Sequence, residues 1–160
     1  MILICKKIAV TGLTETTDDA SLTYDEKEGY LLKGTDNEGS VLEIEVRYDD
    51  KANSLRLESF KDGAFDFLFE YSEMLEGYAA QYYFETITHL DKATPVYGWC
   101  TYKLIFEGSN GSCARFDNVS SEPYSIYGDI PDAQAFIDGA THWFTITDGK
   151  FVGNLDGQDF

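Results

Sequence analysis

The chain has 160 residues, enough for one domain that buries about 70% of the surface its unfolded form would expose, so neither metal nor disulfide is required for folding. Phe and Tyr occur 11 times each and Trp twice, which weights the core towards flat side chains that suit strands better than helical bundles. Twenty-nine acids against twelve bases leave a formal charge of -17, which repels phosphate backbones and anionic headgroups and argues against direct binding to nucleic acid or a membrane.

In chain order, Leu3 to Thr11 reads as a first strand: its lysines follow the apolar run and the run is too short for a signal-peptide core, so a cytoplasmic protein is expected. Short strands at Ser21–Tyr24 and Gly29–Lys33 follow, with a turn at Thr35–Gly39. The run Leu42–Tyr48 alternates Leu42, Ile44, Val46 and Tyr48 with Glu43, Glu45 and Arg47, the period of a half-buried strand. Ser54–Phe60 and Ala64–Tyr71 repeat that alternation after turn-forming segments, which makes a three-stranded antiparallel meander. In its third strand Phe65, Phe67 and Phe69 are expected to face the core, with Asp66 and Glu70 on the opposite side. Tyr78–Leu90 fits either a helix face or an alternating strand, and its β-formers favour the strand. Val96–Glu107 pairs with it, and Cys113–Asn118 follows the turn Ser109–Ser112. Pro131–Asp138 is the best helix, Pro131 suiting the first helical position and Gly139 the stop, and strands at Thr141–Thr147 and Lys150–Leu155 flank Asp148-Gly149. The whole predicts one domain over residues 1–160, mainly β, an antiparallel sandwich or barrel built from hairpins with one short helix near 131–138.

Chemistry-bearing motifs are sparse. The histidines, His89 and His142, sit in no metal-ligand spacing, and Cys5, Cys100 and Cys113 form no CxxC unit. Nucleotide-loop and hydrolase-elbow motifs are absent, so no enzyme, metal or cofactor is expected. A thiol enzyme would have to bring Cys100 or Cys113 to a histidine.

Charge is distributed unevenly. From Asp62 to Asp91 and from Phe116 to Gly149 acids occur with no Lys or Arg. These segments, with tyrosines set among the acids, point to an antagonist that covers a basic, nucleic-acid-binding surface of a partner protein with carboxylates where phosphates would lie. In size and charge the chain resembles small acidic anti-defence proteins of phages (anti-CRISPR-like DNA mimics) and bacterial toxin-immunity proteins, although no family motif is matched. The expected partner-binding residues are Asp66, Glu70, Glu73 and Glu76 with Tyr71 and Tyr78 as anchors. The alternative is a ligand- or carbohydrate-binding module that stacks Tyr97, Trp99 and Trp143 on a flat ligand.

Overall fold

A computed structural model describes residues 15–16, 20–25, 29–89 and 94–160. The strand expected over residues 3–11 lies outside them. The described strands are β1 (Glu15–Thr16), β2 (Ala20–Asp25), β3 (Gly29–Thr35), β4 (Val41–Asp49), β5 (Ser54–Lys61), β6 (Ala64–Met74), β7 (Gly77–His89), β8 (Val96–Glu107), β9 (Asn110–Phe116), β10 (His142–Thr147), β11 (Lys150–Leu155) and β12 (Gln158–Asp159), with one helix, α1 (Ala133–Ile137), before β10. They form one antiparallel sheet in which spatial order equals chain order. The mainly β architecture, the hairpins and the short helix are those the alternation predicts. Of the two closures it allows, the barrel is absent, since β1 and β12 are not neighbours.

Tight turns explain the meander. Positive φ at Asp62 and Gly63, and again at Asp148 and Gly149, provides the two-residue hairpins whose twist matches the flanking strands. The ambiguous segment after Gly77 is strand β7 as far as His89, paired with β8 along its length and with β6 from Gly77 to Phe84. Helical propensity there is overridden because two partners satisfy its backbone and bury Ala79, Ala80, Gln81 and Tyr83.

A bulge changes the expected faces of β6. Ser59 pairs with Phe67 but Phe60 pairs with Phe65, so Asp66 is an extra residue with no partner across the ladder. Phe65 is thereby turned onto one face, with Phe60 at 5.8 Å, Trp99 at 5.5 Å and Tyr83 at 5.9 Å between ring centroids. Phe67 and Phe69 stand on the other, at 5.4 and 6.5 Å from Tyr82. The three phenylalanines therefore do not share a face.

The two faces are covered differently. Residues 117–141, the long connection from β9 to β10, fold back over what we call the inner face. There Ile126 and Phe136, both about fully buried, pack with Ala79 and Ile105, and α1 lies against β8 and β9. Asp132 caps α1 by accepting from the Ala135 N–H at 3.0 Å. Pro131 consequently stands before the cap rather than at the first helical position, while Gly139, at φ +75°, ends the helix as expected. Among the described residues no element crosses the opposite, open face. No helix among them is long and apolar enough to span a membrane.

Gly77 is needed by this close strand spacing. A Cβ there would overlap the Phe106 carbonyl and sit 2.9 Å from the Glu107 Cα. Gly77→Ala should destabilise the protein by about 1–3 kcal/mol, the usual cost of overpacking. Thermal unfolding followed by circular dichroism measures it, and an unchanged transition would contradict the β7–β8 geometry.

Candidate partner-binding surface

One cross-strand row crosses the inner face: Arg47, Arg56, Glu70, Gln81 and Lys103 lie opposite one another on β4 to β8. Glu70 is fully buried at its centre. Its Oε1 accepts from Ser125 Oγ at 2.6 Å and from Arg56 Nη1, and its Oε2 accepts from Gln81 Nε2 at 2.6 Å and the Ile126 N–H at 2.9 Å. Arg56 also grips Glu58 through two hydrogen bonds of 3.0 and 3.2 Å. Burial alone would raise the Glu70 pKa; the hydrogen bonds from Ser125, Ile126, Arg56 and Gln81 outweigh it and hold the carboxyl below its ordinary value. Glu70 is therefore the clamp that fastens the crossover to the sheet, and not a surface residue that could meet a partner.

The other expected site residues divide between two rims of the sheet. In a meander, alternate hairpin turns fall on the same edge, two strands or roughly 10 Å apart. The turns β4–β5, β6–β7, β8–β9 and β10–β11 share one edge. Glu73 and Glu76 lie there, exposed, beside the fully exposed Leu75. The same edge gathers Asp49, Asp50, Glu107 and Asp148 against Lys51 and Lys150, and among the described residues none of these acids is in a salt bridge. Asp66 belongs to the opposite rim, roughly 23 Å along β6 from Glu73. It accepts from Ser59 Oγ at 3.3 Å in the bulge and does not join the patch. Neighbouring turns on its edge are partly neutralised, as in the 3.2 Å pair of Lys61 with Asp36.

Tyr71 and Tyr78 meet where the acidic rim borders the open face. Their rings stack at 6.0 Å, and Tyr78 stacks on Phe106 at 6.0 Å. Further in, Tyr82, Phe84 and Tyr102 form a second ladder, with centroids 4.4 and 5.6 Å apart, ended by Arg115 over the Tyr102 ring at 5.4 Å. Each such ring pair adds about 0.5–1.5 kcal/mol beyond area burial. The charge runs read from the sequence leave out Asp49, Asp50 and Glu107, and they include Asp148 without placing it at this edge. The available signal was parity, because every second turn of a meander returns to the same edge.

The geometry disfavours thiol chemistry. Cys100 is fully buried and its Sγ lies 3.1 Å from Asp117 Oδ1. His142 Nε2 lies 3.5 Å from the other oxygen of Asp117, and its Nδ1 accepts the Asp156 N–H at 3.1 Å. Asp117 thus separates the thiol from the imidazole. Burial first, then Asp117, push the Cys100 thiol up, and burial does the same to Cys113. Iodoacetamide should leave Cys100 unmodified in the native protein and alkylate it after unfolding, as read by peptide mass spectrometry; native labelling would revive a nucleophilic role. The rings of the ligand-binding alternative are not brought together. Trp99 stacks on Tyr83 at 4.8 Å, while Trp143, two strands away, lines a separate cleft of about 490 Å³ with Ile137 and Val152. No group of His, Cys, Asp and Glu among the described residues could hold a metal ion. Comparison with protein families, with curated proteins and with solved structures finds no match to this chain.

Proposed function

We propose that this chain is an acidic antagonist that binds a basic, nucleic-acid-binding surface of a partner protein, as anti-defence DNA mimics (anti-CRISPR-like) and toxin-immunity proteins do. The supporting observation is the row of hairpin tips carrying Asp49, Asp50, Glu73, Glu76, Glu107 and Asp148 along one edge of the sheet. Its turns recur roughly every 10 Å over roughly 30 Å, close to the length of one DNA helical turn. A partner evolved to track phosphates would meet carboxylates at comparable reach, and Tyr71 and Tyr78 offer flat anchors at the border of that row.

The test is capture on the immobilised full-length protein from lysates of cells that carry nuclease or toxin systems, eluted with increasing salt. A basic nucleic-acid-binding protein released as screening shortens the Debye length below about 10 Å would support the proposal. Retained proteins that are acidic, or that salt does not release, would contradict it.

A further inference from the structure

The open face is the largest feature that the acidic rim leaves unused. One register row across it reads Tyr30, Val46, Leu57, Phe69, Tyr82 and Tyr102, from β3 to β8. In β4 to β7 the register turns Glu43, Glu45, Glu58, Glu70 and Glu85 to the inner face; the acids that reach the margin of the open one are Asp66, bonded to Ser59 Oγ, Glu73 at the rim, and Asp117, paired with Arg115. Exposed rings are spread across its width: Tyr48 is 42% exposed, Tyr102 38% and Phe151 59%. The whole chain exposes 10323 Å², whereas a compact monomer of 18.0 kDa would expose roughly 8,000 Å². The excess, roughly 2,000 Å² on each chain, is more than the roughly 800 Å² that each partner contributes to a standard stable interface.

We propose that the open face is a homodimer interface, on which a second copy of this chain packs sheet against sheet. Two properties select a second copy over a basic partner. A Lys- or Arg-rich protein would find few carboxylates there to pair with, since Asp66 is held by Ser59 and Asp117 by Arg115, so the face rewards an uncharged apolar surface. Conversely, two chains of charge -17 repel least across the surface that carries the fewest acids, and facing open sides leave the inner-face carboxylates pointing away from the contact. Sheets packed this way stand roughly 10 Å apart, with their side chains interdigitated. The proposal does not rest on the antagonist reading, which uses the rim.

Salt separates the two. A dimer of like-charged chains held by apolar contact tightens as salt rises, whereas a complex with a basic partner weakens. Sedimentation equilibrium of the full chain between about 0.1 M and about 1 M NaCl, where the Debye length falls from about 10 to about 3 Å, should show a dimer whose dissociation constant decreases. The pair Tyr48→Lys and Tyr102→Lys, both already partly exposed, should raise that constant at least about tenfold, because a charge would be buried without a partner. Tyr97→Lys, at an exposed position on the inner face, makes the same chemical change and should leave it alone; unfolding curves confirm that each variant is folded. A monomer at every salt concentration would overturn the proposal and leave the face to residues 1–14 or to another protein. So would a dimer that salt dissociates or that the paired variant does not weaken.

Discussion

Glu70→Ala should lower the stability of the fold by about 3–5 kcal/mol, the cost of removing one member of a buried, hydrogen-bonded ion pair. The size follows from what the alanine would strand. Arg56 keeps Glu58, but Ser125 Oγ, the Ile126 N–H and a Gln81 N–H lose their acceptor, the last two at buried residues, and each orphaned donor costs about 1–3 kcal/mol unless water reaches it. The damage should be directional, since two of those donors lie in the crossover. Loss of the clamp should release residues around 125–126 from β6 and β7, and amide exchange of Ile126 should accelerate more than that of β4. Glu73→Ala, on the exposed rim of the same strand, should stay within about 0.5 kcal/mol. Equal losses for the two variants would show that Glu70 is not the fastening point.

Acid should reproduce part of the Glu70 effect. Its folded pKa lies below the ordinary value of 4.5, so its contribution is fully present above pH 4.5 and is lost as pH falls through the lower folded value. Urea unfolding midpoints should therefore decline for the wild type below pH 4.5. Glu70→Gln, which cannot titrate, should decline less over that interval. A parallel decline in both proteins would place the acid sensitivity elsewhere.

Reversing the charge of the rim should have the largest effect on recognition. Asp50→Lys, Glu73→Lys, Glu76→Lys and Glu107→Lys together would turn a negative edge positive while touching no buried group, because all four residues are exposed. Affinity for a basic partner should fall by about tenfold to a hundredfold near 0.1 M salt, and the difference from wild type should shrink near 1 M as screening removes the contribution. Reversing Glu38 and Glu85, exposed acids outside that row, provides a control with half the charge change, and it should change affinity only a few-fold through net charge. If both sets weaken the complex equally, binding follows overall charge and the row of hairpin tips has no special role.

Much of the strand order was legible, and the faces were not. Leu42–Tyr48 announces itself as a strand because alternation is a property of the backbone that needs no knowledge of neighbours, and Asp148-Gly149 specifies its hairpin by conformational preference at two residues. The candidate surface was legible in part. Glu73, Glu76, Tyr71 and Tyr78 do gather at one place because they flank a single turn. Asp66 and Glu70 do not belong with them, one removed by a bulge and by the length of β6, the other buried. Glu107, Asp50 and Asp148 join them only because consecutive antiparallel pairing returns alternate turns to one edge.

The sequence by itself determined the strands, most of their turns and the large negative charge, since each arises from local preference or composition. Tertiary structure decided which side of each strand would be covered. Period-2 alternation defines two faces without ranking them, and the phenylalanines of β6 made the wrong one look like the buried core. The choice was made by a register shift at Asp66, which exists only relative to β5, and by a crossover that Glu70 holds from more than fifty residues away. A carboxylate that reads as solvent-facing in the sequence is thus buried, because the donors that make its burial favourable come from a distant part of the chain.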